Sequence, residues 1–351
     1  MSTLNDLINE TTKIKDELIT CHTNLKNNLK NRNVDISGNN NFPTLINKVN
    51  DIAYVKGFEN LPKWYSPRFY DTWLNANKVP DACYSMASIV CNNKIYVIGG
   101  SGRNSPTTSN KCYNPTTNTW SFESSMNYRR YGLGLSSVNG KIYAIGGNIN
   151  NTLGGYTHVN ECYDPLSGTW TYKANMPTSR YSLTASVINN KIYAIGGVMS
   201  SELVTNECYD PLSDTWTTKA NMPTARQEAT SSVVNNKIYV IGGYSNSKRS
   251  ININECYDPL SDTWTTKANM PTARQEATSS VVNNKIYVIG GFTHPENQNE
   301  CYDPLSDTWT TKTSMPTARR SLTSSPIGKN IYVFGGYKDG GLDVNECYLV
   351  E

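Results

Sequence analysis

Ten residues after each of five tryptophans, Trp120, Trp170, Trp216, Trp264 and Trp309, the chain carries an arginine: Arg130, Arg180, Arg226, Arg274 and Arg319. A guanidinium keeps its charge at any ordinary pH and offers a planar fork of donors, so several of them brought together hold a phosphate or a uronate by bidentate bonds. Without an anion they repel one another. Either a ligand answers them or the protein does, through backbone carbonyls and carboxylates, and the sequence leaves both readings open. The next residue along, Tyr84, Tyr131, Tyr181, Gln227, Gln275 or Arg320, would stand near the same mouth, and Glu228 and Glu276 are ready counter-charges in two of the copies.

Other chemistry is thinly supplied. The chain has three histidines, His22, His158 and His294, too scattered in sequence for a copper site, which needs converging imidazoles. It has no Gly-x-Ser-x-Gly nucleophile turn, no phosphate-binding P-loop and no His-Glu-x-x-His. Asp210 with Asp214, and Asp258 with Asp262, flank a proline and read as turn formers before calcium ligands. The expectation is a protein without catalytic residues, metal or cofactor.

The elements that position these side chains are repeats. The 38 residues from Asn206 to Gly243 recur without a change from Asn254 to Gly291. Six Gly-Gly pairs begin at Gly99, Gly146, Gly196, Gly242, Gly290 and Gly335, at spacings of 47, 50, 46, 48 and 45. Periods of that size belong to radial or stacked arrays. Each pair follows an apolar, β-branched run such as KIYVI, a buried strand. NECYDP then reads as a second strand stopped by Asp-Pro, Thr-Trp marks a third, and a run rich in Ser, Thr and Ala, as in ATSSVV, suits an innermost strand crowded against an axis. Six cysteines, Cys112, Cys162, Cys208, Cys256, Cys301 and Cys347, recur once per repeat and read as small buried residues, too far apart for disulfides.

Four short strands in each of six repeats make an all-β propeller. Gly-Gly after an apolar strand, then Tyr, then Trp at these offsets, resembles the kelch motif over roughly residues 70 to 351. The resemblance implies a six-bladed kelch β-propeller. It also implies that arginine at this place can be framework, and it leaves fold-level room for enzymes resembling galactose oxidase or sialic-acid mutarotases. Each repeat Trp stands 26 residues before the next Gly-Gly, and Trp73 stands 26 before Gly99. Trp73 therefore belongs to a strand that completes the last blade, which would remove an open sheet edge. Cys83 occupies the sixth arginine position.

Between the constant stretches lie unlike ones: SGRNSPTTS, NINNTLGGYTH, VMSSELV, YSNSKRSINI, FTHPENQ and YKDGGLD. Because successive strands alternate in direction, all six should leave the propeller at one end. Tyr156, His158, Tyr244, Arg249, Phe292, His294 and Tyr337 on them are of the types that stack on sugars or hold polar groups. Constant framework with variable loops on one face describes a binding surface; recent duplication with free drift is the plainer account.

Residues 1–52 read differently. Leu4, Leu7, Ile14, Leu18, Cys21 and Leu25 fit alternating spacings of three and four, a short coiled-coil seam, and FPTLINKVNDI reads as a second helix begun by Pro43. This block resembles N-terminal segments of tail-fibre and tail-associated proteins of phages and phage-like particles of Gram-positive bacteria. That resemblance implies an attachment module that binds other tail or baseplate proteins and forms a homo-oligomer such as a trimer, joined by a linker at 53–69 to the propeller. A bacterial surface polysaccharide or surface protein would be the partner. The formal charge of +3 indicates neither nucleic acid nor an anionic membrane. No secretory leader or membrane-spanning run is visible, so synthesis in a cytoplasm and assembly into a virion or phage-like tail are expected.

Overall fold

The structure is a computed structural model and describes residues 70–351 except 103–104 and 151–153. The helical module expected over 1–52 and the linker at 53–69 lie outside these residues.

One of the identical copies shows how the repeat folds. Thr230–Val234 pairs with Lys237–Ile241 across Asn235 and Asn236, both at positive φ (51° and 56°). A two-residue hairpin requires that backbone, and asparagine tolerates it. Lys237–Ile241 pairs in turn with Asn254–Asp258, and that strand with Thr263–Lys267, all antiparallel. The second strand is buried along nearly its whole length, as an apolar run covered on both faces must be, whereas the outermost is mostly exposed.

Six such four-stranded sheets make up the fold, an all-β six-bladed propeller. In the last sheet the outermost position is filled by Thr72–Asn75, the first strand of the described chain, with Trp73 opposite Tyr348. The apolar core is divided into layers between neighbouring blades. Ile98 and Cys112 of the first blade pack with Ile142 and Tyr163 of the second, and Phe334 and Cys347 of the last pack with Ile95 and Tyr113 of the first. Residues about 250 positions apart in sequence thus share one layer.

Polar stitches repeat between blades. Each repeat Trp stacks on the Tyr opposite it and donates its indole N–H to a carbonyl of the preceding blade, as Trp264 does to Ala220 at 2.8 Å. The aspartates after the Asp-Pro turns are spent the same way: Asp262 accepts from the Tyr257 hydroxyl at 2.6 Å and from the Ala220 N–H at 2.9 Å. Nearer the axis, Thr230 and Ser232 bond to Ser279, and Thr278 and Ser280 to Ser324. The small hydroxyl residues of the inner strands thus bind the third to sixth blades in turn, and the sixth to the first through Ser88.

Candidate functional site

The Gly-Gly pairs decide what happens at the rim where the connectors leave. A Cβ on Gly242 would come within 2.7 Å of the Arg274 carbonyl, and Gly242 sits at φ 66°. No side chain fits, so the next blade's arginine turn lies directly on this backbone, and the following glycine, Gly243, donates its N–H to the same carbonyl at 3.0 Å.

That close approach carries the arginines inward. All five, Arg130, Arg180, Arg226, Arg274 and Arg319, are 0% exposed, which removes them from the channel mouth where an anionic ligand would meet them. Each pairs with the glutamate of its own blade's NECY strand: Arg130 with Glu161, Arg180 with Glu207 at 3.0 Å, Arg226 with Glu255, Arg274 with Glu300 at 2.8 Å, and Arg319 with Glu346. The threonine of Met-Pro-Thr completes the pair, Thr224 donating to Glu255 and Thr272 to Glu300. Burial pulls Arg130, Arg180 and Arg274 down to about 10, against the opposing pull of the facing glutamate, so they remain charged at neutral pH. The arginine series is internal framework. The first blade, which has Cys83 in place of arginine, also has Lys111 in place of the glutamate, so both members of the pair are exchanged together.

Two residues beyond each arginine the chain turns toward the axis. Ser85, Gly132, Ser182, Glu228, Glu276 and Ser321 all have positive φ, between 52° and 60°. Each donates its N–H to the carbonyl of the one before it, Gly132 to Ser85, Ser182 to Gly132, Glu228 to Ser182, Glu276 to Glu228 and Ser321 to Glu276, and Ser85 closes the circle onto Ser321, at 2.7–3.1 Å. Six blades are thereby joined by a closed ring of backbone hydrogen bonds.

The ring frames a cavity of about 510 Å³ at the mouth. Tyr84, Tyr131 and Tyr181 line the side formed by the first three blades, and Glu228, Glu276, Arg320 and Tyr337 the other. Glu228 and Glu276, expected as partners of the buried arginines, are instead wall residues. The Glu276 carboxylate accepts from the Ser321 hydroxyl at 2.7 Å and lies 3.3 Å from Arg320 Nε. Arg320 also pairs with Glu296 at 2.9 Å, its guanidinium 4.6 Å from the ring centre of Phe292 and 5.2 Å from that of Tyr337. Among the described residues nothing hydrogen-bonds the Glu228 carboxylate, and burial, with Glu276 adding to it, pushes its pKa up to about 8. Burial raises Glu276 as well.

The connectors join this site at their first residues. Tyr84 bridges to Ser101, Tyr131 to Asn148, Tyr181 to Val198, Gln227 to Tyr244, Gln275 to Phe292 and Arg320 to Tyr337, so all six leave on the mouth's own rim. The sequence-predicted residues divide accordingly. Tyr131, Tyr181 and Tyr337 line the cavity, while Gln227 and Gln275 are not part of its lining. Phe292 is exposed beside Arg320, Tyr244 begins a small hairpin of two-residue strands whose returning strand starts at the exposed Arg249, and Tyr156 is half-buried against Asn148. His158 and His294 are exposed on different blades, and among the described residues no group of His, Cys, Asp and Glu could hold a metal ion. The eight described cysteines are free and buried. Sequence reasoning placed Tyr84 and Arg320 near the mouth, one residue after the arginine series, but read Glu228 and Glu276 as counter-charges of the arginines. The signal for the glutamates was the change from Ser or Gly to Glu at two of six equivalent places.

Fold and rim together define a β-propeller with a polar mouth inside a circle of variable connectors, the architecture of a recognition module. The KLHDC2/KLHL20/DRC7 Kelch-repeats domain matches residues 132–336, more than half of the chain, and the Kelch motif matches 82–127. The chain belongs to the Kelch-repeat family. It is 39% identical over 90 residues to an F-box/kelch-repeat protein of Arabidopsis thaliana, covering 24% of either chain. It is 35% identical over 88 residues to mouse Kelch-like protein 8, covering 24% of this chain and 14% of that one. The match thus spans a quarter or less of these relatives' length. The solved structure of YjhT superposes with a TM-score of 0.67 at 14% identity, over 78% of this chain and 95% of the other, a likeness of fold. Among the described residues no helix is long and apolar enough to cross a membrane.

Proposed function

We propose that this chain is a non-catalytic recognition protein, the distal head of a fibre-like component of a phage or phage-like tail, gripping a polymer on a bacterial surface with its connector-bearing rim. One observation carries the reading: six unlike connectors leave on the rim that frames the cavity, while the opposite rim repeats nearly the same turns. Residues 1–52 would attach the head to other tail or baseplate proteins and form the oligomer. Several heads on one stalk raise weak single-site binding by orders of magnitude when they engage together.

The Kelch-like relatives favour a second reading, a scaffold that holds a protein partner in the same mouth. Binding of the full chain to whole bacterial cells and to purified wall polymers, with its mass in solution, separates the two. A fibre component is oligomeric and loses that oligomer on deletion of residues 1–52. A monomer that ignores cells and polymers overturns the tail reading. Exchanging the connectors at 244–253 and 292–298 should change which cells are bound.

A further inference from the structure

The arginine series suggested an anion at the mouth, and the geometry reverses that sign. Four carboxylates, Glu202, Glu228, Glu276 and Glu296, act on the mouth against a single guanidinium, Arg320, which Glu276 and Glu296 already engage. The Glu228 carboxylate has no hydrogen bond and no ion pair among the described residues, although it lines a cavity large enough for a sugar unit and its neighbours.

The backbone at Glu228 and Glu276 lies in the left-handed region (φ 56° at each), as it does at the other positions of the ring. Serine or glycine occupies the other four positions of the ring.

The remaining lining combines hydroxyls and aromatic rings, Ser85, Ser182 and Ser321 with Tyr84, Tyr131 and Tyr181, with apolar side chains such as Leu133, Leu183 and Leu322. The ring consumes its own N–H groups, so a peptide main chain finds no free strand edge there, and recognition falls to side-chain oxygens and ring faces. Such a surface suits a polyhydroxylated ligand bearing a positive charge.

Resting on the surface-polymer reading, we propose that the mouth binds a hexosamine unit with a free ammonium group, Glu228 and Glu276 receiving the ammonium and the three tyrosines the sugar. The charged and titratable groups facing Glu228 are Glu276, Arg320, Glu202, Tyr131 and Tyr181, of which only Arg320 is cationic. An arriving ammonium supplies the missing counter-charge and releases the proton that burial keeps on Glu228 near neutral pH.

The test titrates the full chain by calorimetry with a glucosamine trisaccharide, its N-acetylated counterpart, a galacturonate trisaccharide and a lysine-containing tripeptide. The glucosamine trisaccharide should bind at least tenfold more tightly than the acetylated one, and its affinity should fall with added salt. The Glu228→Gln, Glu276→Gln double variant should lose that preference while remaining folded and at least as heat-stable as the native protein. Equal affinity for the two hexosamines, preference for the uronate, equal or tighter binding of the tripeptide, no binding of any, or an unchanged preference in the folded double variant would each overturn the proposal. N-acetylating the amines of a bound wall polymer separates this from the wider reading: surface recognition that survives acetylation removes the amino sugar alone, whereas absence of any binding to cells or polymers removes the tail reading.

Discussion

The two rims of the propeller are made by the same six repeats, yet they differ in what they hold constant. On one, paired asparagines or their Asn-Gly and Gly-Lys equivalents close the inner hairpins, and Asn-Pro-Thr-Thr or Asp-Pro-Leu-Ser closes the outer ones. On the other, no two connectors agree in sequence, and the residue facing the axis changes from Ser or Gly to Glu. The blade framework tolerates the variation because its bonds at that rim are made by backbone: the Gly-Gly approach, the bridges at the connector starts and the hydrogen-bonded ring. A fold held in this way can change its side chains at the mouth without changing its shape.

The largest test of that division removes a buried arginine. Arg226→Ala leaves Glu255 enclosed without its partner and should cost about 3–5 kcal/mol, read by denaturant unfolding. Arg226→Met with Glu255→Leu replaces both charges by apolar groups and should cost far less. Affinity for a surface ligand should be unchanged in any of these variants that folds. A folded Arg226→Ala protein of native stability that has lost binding would return the arginines to the mouth.

A smaller effect separates the rims by pH. The Glu228 carboxyl holds its proton in the folded state up to about pH 8, against 4.5 for the ordinary group. Between those values the folded state binds more protons than the unfolded one, so this group makes stability fall as pH rises. Glu228→Gln removes the penalty: its melting temperature should match the native protein's below pH 4.5, gain on it up to about pH 8 and keep a constant lead beyond. A difference that does not vary with pH would show that Glu228 is not enclosed.

The smallest effect belongs to the uniform rim. Leu212 and Leu260 are 96% exposed in its outer turns, and replacing both by serine should change stability by less than about 0.5 kcal/mol and binding not at all. Lost cell binding would mean that the partner sits on the wrong rim.

The blades were legible because their signals are periodic and local. Gly-Gly marks a backbone contact that no Cβ survives, and the Tyr–Trp pair marks adjacent strands, so spacing alone assigns both. Trp73 joined the series by the same count, and its strand pairs with Asn345–Leu349. The fate of the arginines was less legible, because spacing gives a residue's place along a strand and not the direction of its side chain. Positive φ at Glu228 and Glu276 turns the chain between Arg226 or Arg274, which point into the blade, and the glutamates, which line the mouth. One clue lay in plain letters: the repeat that lacks the arginine also lacks the glutamate, with Cys83 and Lys111 in their places. A paired loss of that kind marks two residues in contact.

Everything functional rests on the variable rim being the surface that meets the partner. The most direct measurement replaces the six connectors with glycine-serine bridges of equal length and follows binding of the full chain to whole cells and purified wall polymers, with thermal unfolding as the control for folding. Binding should vanish while a cooperative unfolding transition remains. Binding that persists in the folded, bridged protein would contradict the account.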